Sequence, residues 1–137
     1  MVLVDTSVLV DVATDDATWS DWSATALARA IDKDGVAVNP IVFAEFSLAY
    51  ANERDAEGAL SELRVVRLDL PWGAAFLAGK AFALYRARGG QKGAPLPDFF
   101  IGAHAAVAGL SLLTRDARRI REYFPRVKLI APEGKPA

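Results

Sequence analysis

Four acidic residues stand at or near the ends of hydrophobic segments, where a folded core would meet the solvent. They are Asp5, after the apolar residues 1–4; Glu45, within the apolar segment 41–46; Asp98, after Leu96 and Pro97; and Asp116, after residues 111–115. Carboxylate oxygens are the ligands that Mg²⁺ and other hard divalent cations prefer. If these four side chains meet in the fold, they form a metal site.

The chemistry open to such a group is hydrolysis of a phosphodiester. Carboxylates held close together raise one another's pKa and oppose folding unless a cation compensates them. Mg²⁺ or Mn²⁺ removes that penalty by binding one or two carboxylates directly, while the others hold its water molecules. The ion also activates water as a nucleophile near neutral pH, so serine, cysteine and histidine are not required.

Short β-branched segments alternate with longer amphipathic segments along the whole chain. This pattern predicts strands over residues 2–4, 36–39, 65–69, 111–114 and 127–130, and helices over residues 7–12, 18–33, 41–51, 56–63, 72–88, 98–108 and 115–123. None of the strands alternates cleanly between apolar and polar residues, which favours strands buried on both faces of a parallel sheet. The predicted fold class is α/β, a three-layer α/β/α sandwich with a central, mainly parallel sheet of about five strands.

Glycine and proline support several of these boundaries. Gly35 and Pro40 bracket the second predicted strand, and residues 89–97 form a loop that is rich in both residue types. A residue that precedes proline is kept out of helical geometry, so the helix after this loop is predicted not to begin before Asp98. Asp98 would then be its N-cap.

The predicted topology brings the four carboxylates to one edge of the sheet. Ligands of parallel α/β folds bind beyond the carboxyl ends of the strands, where the strand order reverses. Asp5 and Asp116 each lie within two residues of a predicted strand end. Glu45 lies on the first turns of the helix after the second strand, and Asp98 opens the helix that leads into the fourth.

Composition limits the classes of protein that are compatible with the chain. Of 137 residues, 53% are hydrophobic and 24% are charged, which predicts one folded domain over residues 1–137 with a frayed tail at residues 132–137. Acidic residues interrupt every apolar run, so no membrane span is expected, and the start lacks the basic region of a signal peptide. The absence of cysteine excludes disulfides and a thiol nucleophile and is compatible with the cytoplasm.

The charge balance does not by itself indicate a nucleic-acid-binding protein, because 16 basic and 17 acidic residues give a net charge of −1. Acids gathered around a metal would nevertheless leave the remaining surface relatively basic. Two basic segments are candidates for binding nucleic-acid phosphates; the first holds Arg86, Arg88 and Lys92, and the second Arg115, Arg118, Arg119, Arg121, Arg126 and Lys128. The alternative for both is a solvated helix face.

Four segments, in this order, resemble the signatures of the PIN-domain ribonucleases. They are DTSVLVD at residues 5–11, the single Glu45 on the second main helix, PDFFIGAHA at residues 97–105 and LTRD at residues 113–116. The size and the layout of the chain most resemble the VapC toxins of bacterial and archaeal toxin–antitoxin pairs. The resemblance implies an endoribonuclease that depends on Mg²⁺ or Mn²⁺ and often cleaves transfer or ribosomal RNA. It also implies a homodimer that is inhibited by a small VapB-type antitoxin.

The resemblance also implies roles for particular residues. The catalytic acids would be Asp5, Glu45, Asp98 and Asp116, with Asp5, Asp98 and Asp116 at the metal and Glu45 acting through a water molecule. Thr6, Ser7 and Thr114 match hydroxyl positions that orient a carboxylate or water, although Ser7 taken alone is equally explained as a helix cap. Gly102 departs from the family pattern, which favours a better helix former there, and indicates close packing.

Other residues whose side chains could act in catalysis or binding have simpler interpretations. Asp11 lies four residues after Ser7 on the same helix face, which could bring it near the site or leave it solvated. His104, the only histidine, does not share a helix face with Asp98, so a packing or surface role is expected rather than catalysis. The tryptophans and several phenylalanines are expected in the core or facing a partner, and Trp19 and Trp22 are candidates for an antitoxin-binding groove.

Two other functions remain open from the residues alone. A receiver-like phosphoacceptor domain also uses Mg²⁺ and carboxylates at strand ends, but it would require a paired acid near Asp5 and a late lysine after a strand. A metal-free binding module that kept the fold is the second, since a fold does not prove activity. Dinucleotide-binding and P-loop functions are excluded because their glycine motifs do not occur.

Overall fold

A computed structural model describes residues 1–90 and 96–134 of the chain. Its centre is a five-stranded, all-parallel sheet with the strand order β3-β2-β1-β4-β5. The helices of the described residues flank the sheet in a three-layer α/β/α sandwich, which confirms the predicted fold class. The strand order reverses between β1 and β4, because the chain builds outwards from β1 on one side and then continues on the other.

All five predicted strands are present, some of them shorter than predicted. Their bounds are β1 Val2–Val4, β2 Val36–Val38, β3 Val66–Arg67, β4 Ser111–Leu113 and β5 Leu129–Ile130. The three residues of β1 and of β2 are completely buried, as expected for strands covered on both faces. The expectation was wrong for β3, whose two residues are exposed, and for β5, whose two residues are half-buried, because these strands form the two edges of the sheet.

Seven helices lie within the described residues, and each corresponds to a predicted one. Their bounds are α1 Thr6–Ala13, α2 Ser20–Lys33, α3 Pro40–Ser47, α4 Glu53–Glu62, α5 Trp72–Ala87, α6 Leu96–Ala108 and α7 Arg118–Tyr123. The largest differences from the sequence prediction are at α3, which ends four residues early, at α4, which begins three residues early, and at α7, which begins three residues late. Residues 115–117 therefore belong to the connection between β4 and α7, and Asp116 lies in it.

The predicted start of α6 was wrong. The helix begins at Leu96, and Asp98 lies in its first turn instead of preceding it. Proline is tolerated at this point because the first amide groups of a helix have no intrahelical acceptor, so the missing N–H of Pro97 costs nothing. Residues 91–95, which include most of the predicted loop and Lys92, lie outside the described residues, as do residues 135–137 of the predicted frayed tail.

The close packing predicted at Gly102 is present between α6 and α7. A Cβ atom at this position would lie 2.5 Å from the ring of Phe124 and 2.9 Å from Ile120. Both of these side chains are buried against the core. The missing side chain of Gly102 therefore allows α7 to approach α6, one helical turn beyond Asp98.

The large aromatic residues do not all enter the core. Phe46 and Phe99 are fully buried, but Trp72 is 90% exposed and Phe76 is 69% exposed, one turn apart on α5. The alternative of a partner-facing role therefore remains for this pair. Among the described residues, no helix is long and apolar enough to span a membrane.

Candidate active site

The edge of the sheet where the strand order reverses carries the first pair of predicted site residues. Asp5 directly follows β1, and Thr114 directly follows β4. These strands pair in parallel, with Val4 opposite Leu113, and the Asp5 amide donates to the Leu113 carbonyl at 2.8 Å. Asp5 and Thr114 are thus neighbours at the position where parallel α/β folds bind ligands.

Hydroxyl groups orient the Asp5 carboxylate. Ser7 Oγ donates to Asp5 Oδ2 at 2.7 Å, and Thr114 Oγ1 donates to the same oxygen at 2.9 Å. Asp5 occupies the N-cap position of α1, but its side chain makes no capping hydrogen bond. Ser7 lies inside α1, so the interpretation of Ser7 as a helix cap was wrong. Both hydroxyls bind one oxygen of the Asp5 carboxylate and so fix the direction of the other, Oδ1.

Thr114 also connects Asp5 to Asp116. The Thr114 side chain is 1% exposed, and its oxygen accepts a hydrogen bond from the Asp116 amide at 3.1 Å. One hydroxyl therefore holds the Asp5 carboxylate and the backbone of the connection that carries Asp116. The Asp116 residue itself is exposed to solvent.

Glu45 is held beside this group by Thr6, whose Oγ1 donates to Glu45 Oε1 at 2.8 Å. The position of Glu45 depends on the start of α3, where the Asn39 side chain accepts from the Val42 amide at 2.9 Å. Asn39 Nδ2 also lies 3.0 Å from Nδ1 of His104, and both side chains are buried. Burial lowers the pKa of His104, in keeping with a neutral ring that accepts from Asn39. His104 thus has the packing role that was expected.

Asp98 carries the clearest electrostatic signal of the site. Its pKa is raised from 3.8 to about 6, first because burial disfavours the charged carboxylate and then because Asp5 and Glu45 repel it. Arg119 acts in the opposite direction through an ion pair in which Nη1 lies 2.8 Å from Asp98 Oδ2. The negative charges of the predicted site therefore act on one another across elements that are distant in sequence.

Three of the four predicted acids line one cavity of about 210 Å³. Its walls include Asp5, Asp98 and Asp116, together with Ser7, Thr114, Arg115 and Arg119. Glu45 does not line this cavity, although its charge raises the pKa of Asp98. Within residues 1–90 and 96–134, no group of three or more His, Cys, Asp or Glu side chains is arranged to hold a metal ion.

Asp11 and Arg115 form a feature that the sequence patterns did not reveal. Asp11 is 1% exposed; its Oδ2 accepts from Ser23 Oγ at 2.8 Å and lies 2.8 Å from Arg115 Nε. The guanidinium of Arg115 lies over the ring of Trp19 at 5.7 Å. Asp11 is therefore neither solvated nor a wall of the cavity, since it fixes an arginine at the cavity rim. An acid on the apolar helix face was the only signal that could have suggested this role.

The basic residues are distributed unequally around the site. Arg115 and Arg119 line the cavity, whereas Arg86, Arg88 and Arg118 are exposed side chains outside it. Arg88 makes a surface ion pair with Glu122 at 3.7 Å. Arg126 and Lys128 line a different cavity together with Ser111, where β4 begins, so they lie at the opposite edge of the sheet.

Comparisons with known proteins agree with this architecture. The sequence profile of the PIN domain matches residues 2–127, and the chain therefore belongs to the PIN domain family. No curated protein sequence matches it significantly.

Several solved structures are similar in fold. VapBC2 from Rickettsia felis, bound to a DNA fragment from its promoter, has a TM-score of 0.73 at 18% identity, covering 97% of this chain and 100% of the other. VapBC-1 from nontypeable Haemophilus influenzae has a TM-score of 0.71 at 17% identity, covering 96% and 98%. FitAcB from Neisseria gonorrhoeae has a TM-score of 0.65 at 20% identity, covering 95% and 96%.

Proposed function

We propose that this PIN domain is a VapC-type toxin, an endoribonuclease that requires Mg²⁺ or Mn²⁺ and hydrolyses phosphodiester bonds of transfer or ribosomal RNA in the cytoplasm. The observation that carries the proposal is the cavity at the switch point of the sheet, which Asp5, Asp98 and Asp116 line together. Family membership and the fold shared with VapBC complexes support the same class. Membership of the PIN family also speaks against the receiver-like alternative.

The donor set fits a hard cation that keeps most of its water. Mg²⁺ commonly uses one or two carboxylates and completes its coordination with water molecules, so three convergent side chains are not required. Asp5 and Asp98 are the proposed direct ligands, since Asp98 is the acid on which the charges of Asp5 and Glu45 converge. Asp116 is the third proposed ligand, and Glu45 acts through water. A cation at this position would relieve the repulsion that raises the pKa of Asp98.

The other residues of the site have supporting roles in the proposed reaction. When bound, the divalent cation supplies an activated water and stabilises charge on the phosphate oxygens. Ser7 and Thr114 hold the Asp5 carboxylate in one orientation, and Thr6 does the same for Glu45. Arg115 is held at the cavity rim by Asp11, where its charge attracts an RNA phosphate. Arg86, Arg88 and Arg118 would contact phosphates farther along the RNA. Lys92, outside the described residues, stays a candidate for binding RNA.

A VapB-type antitoxin is the proposed protein partner. Trp19, the N-cap of α2, and Trp22 pack edge to face at 6.3 Å and are both half-buried, and Arg115 links Trp19 to the rim of the cavity. A partner that covers these rings would therefore also reach the site. Replacing both tryptophans with alanine should weaken antitoxin binding while leaving the fold intact. Unchanged affinity in a folded double variant would contradict this assignment of the groove.

A homodimer is also part of the proposal. Trp72 and Phe76 expose large apolar surfaces one turn apart on α5, and such patches commonly mark protein interfaces. The double variant Trp72→Ala/Phe76→Ala should lower the mass measured by light scattering from that of a dimer to that of a monomer. A monomeric wild-type protein would remove the homodimer from the proposal.

The decisive experiment is RNA cleavage by purified protein that is free of antitoxin. Total bacterial RNA is incubated with Mg²⁺ or Mn²⁺, beside the Asp98→Asn variant and a reaction that contains EDTA. Discrete fragments that require both the wild-type protein and the metal would support the proposal, and their mapped ends would identify the target. Cleavage that persists with EDTA or in Asp98→Asn would contradict it.

A metal-free binding module is the second candidate. It is favoured by one observation, that the described residues contain no group of three or more ligating side chains arranged for a metal ion. Titration with Mn²⁺ separates the two functions, because only the nuclease should show binding that Asp5→Asn or Asp98→Asn abolishes.

A further inference from the structure

Each of the two arginines that line the cavity is paired with a carboxylate. Arg115 pairs with Asp11, whose side chain is 2% exposed, and Arg119 pairs with Asp98, whose side chain is 42% exposed. The two pairs have the same N–O distance of 2.8 Å. They differ in whether the carboxylate can bind a cation in the cavity, because Asp98 lines the cavity and Asp11 does not.

The pair between Arg115 and Asp11 is fixed. Asp11 lies outside the cavity wall and also accepts a hydrogen bond from the buried Ser23, so no cation that enters the cavity competes for its carboxylate. The Arg115 side chain is 33% exposed but that of Asp11 is buried, so separating the pair would leave an uncompensated carboxylate in the interior, which is strongly unfavourable. The charge of Arg115 is therefore a permanent part of the rim.

The ion pair between Arg119 and Asp98 can separate at little cost in free energy. The side chains of both residues are partly exposed, and ion pairs of this kind contribute little free energy. The guanidinium of Arg119 lies 5.4 Å from the centre of the Tyr85 ring. Arg119 also borders a second cavity of about 190 Å³, whose walls include Tyr85, Asp116, Glu122 and Tyr123. The guanidinium thus has a neighbouring polar and aromatic space into which it can move.

We propose that Arg119 is a built-in competitor of the divalent cation: it neutralises Asp98 in the metal-free protein and releases that carboxylate when the cation binds. This inference rests on the metal site proposed above. Arg119 then turns into the second cavity, where it keeps its contact with the Tyr85 ring and faces Glu122, or an RNA phosphate when substrate is present. The competition keeps metal affinity lower than the carboxylates alone would set it.

The test is a calorimetric titration of Mn²⁺ into the wild-type protein and into matched variants of α7. Arg119→Gln removes the competing charge and should bind Mn²⁺ up to about fivefold more tightly, the upper limit for a partly exposed ion pair. Arg121→Gln is the control, because it removes the same charge from an exposed position of α7 that lines neither cavity, and it should bind like the wild type. Arg119→Lys restores the charge and should fall between the wild type and Arg119→Gln. Circular dichroism and thermal unfolding establish that every variant is folded.

The outcomes separate this inference from the proposed function. If Asp98→Asn abolishes Mn²⁺ binding while Arg119→Gln binds like the wild type, the competition is refuted and the metal site stands. If neither the wild type nor Arg119→Gln binds Mn²⁺, both proposals fail. An equal gain in Arg121→Gln would assign the effect to general surface charge and would also overturn the inference. Binding that appears only in Arg119→Gln and depends on Asp98 would support it most strongly.

Discussion

The Thr114 hydroxyl donates a hydrogen bond of 2.9 Å to the Asp5 carboxylate, although 109 residues separate the two in sequence. The contact exists because β1 and β4 are neighbours, with Val4 opposite Leu113, so that the residues after these strands meet at one edge. The same threonine oxygen accepts from the Asp116 amide. The geometry of two proposed ligands therefore depends on one buried hydroxyl.

Thr114→Val should lower both stability and metal affinity. Valine has nearly the same shape but leaves the Asp116 amide unpaired and removes the donor to Asp5, which costs about 1–3 kcal/mol of unfolding free energy. Removing a group that orients a metal ligand typically lowers metal affinity by about 10- to 100-fold. Urea unfolding and Mn²⁺ titration measure the two effects. Thr114→Ser keeps the hydroxyl and should retain most of both; an equal loss in serine and valine would show that the hydroxyl contributes no more than the methyl group and would contradict the prediction.

Asp98 should make the metal-free protein less stable as the pH rises. Its pKa is about 6 in the folded protein against 3.8 when unperturbed, so the folded state binds the proton more tightly. The stability contributed by the protonated form is present below pH 3.8 and is lost as the pH rises through about 6. Because the side chain is 42% exposed, solvent screening limits the effect at pH 7 to about 1 kcal/mol.

The check on this prediction is a comparison of Asp98→Asn with the wild type in EDTA, by chemical unfolding from pH 4 to pH 7. Asparagine cannot ionise, so the variant should not lose stability in this way as the pH rises. It should be the more stable protein at pH 7, and the difference should disappear near pH 4. Parallel pH profiles for the two proteins would show that the fold does not raise the pKa of Asp98 and would contradict the prediction. RNA cleavage should be absent in the variant.

Gly102→Ala should destabilise the protein despite the better helix propensity of alanine. The new Cβ would lie 2.5 Å from Phe124, so the ring or α7 must shift, at a typical cost of about 1–3 kcal/mol. The gain in helix propensity is at most about 1 kcal/mol. Gly58 is the matched control, because it lies in α4 and a Cβ atom added there would have no neighbouring atom within 4 Å, so Gly58→Ala should be stabilising. Thermal unfolding of both variants decides the sign; a stabilised Gly102→Ala would contradict the packing argument.

Asn39→Ala should cost more than an ordinary helix cap. The side chain caps α3 through the Val42 amide and also pairs with buried His104, so alanine removes a cap worth about 1 kcal/mol and leaves a ring nitrogen unsatisfied. The expected loss is about 2–3 kcal/mol. Asn52 makes the corresponding cap of α4 on the surface, at 2.9 Å from the Asp55 amide, and Asn52→Ala should lose only about 1 kcal/mol. The denaturant midpoints of the two variants measure these losses of unfolding free energy. Equal losses would show that the pairing of Asn39 with His104 contributes nothing to stability.

The fold was predictable because its signals are local. Runs such as residues 2–4 and 36–38 are apolar on every residue, which is the pattern of a strand buried on both faces, and the strands found there are fully buried. Helix starts were less predictable. Asn52 is an N-cap followed three residues later by Asp55, a signal that would have placed the start of α4 correctly. At Pro97 the rule for residues before proline displaced the start of α6 by two residues.

The sequence alone therefore determined the alternation of strands and helices, because burial patterns and helix breakers depend on residues that are neighbours in the chain. It also determined that four acidic residues lie near the ends of these elements: Asp5, Glu45, Asp98 and Asp116. Only the tertiary structure decided which charges meet. Arg119 reaches Asp98, and Arg115 reaches Asp11, through the packing of elements that are far apart in the chain. Ion pairs of this kind depend on the distances between elements and on side-chain rotamers, and no pattern of nearby residues encodes either.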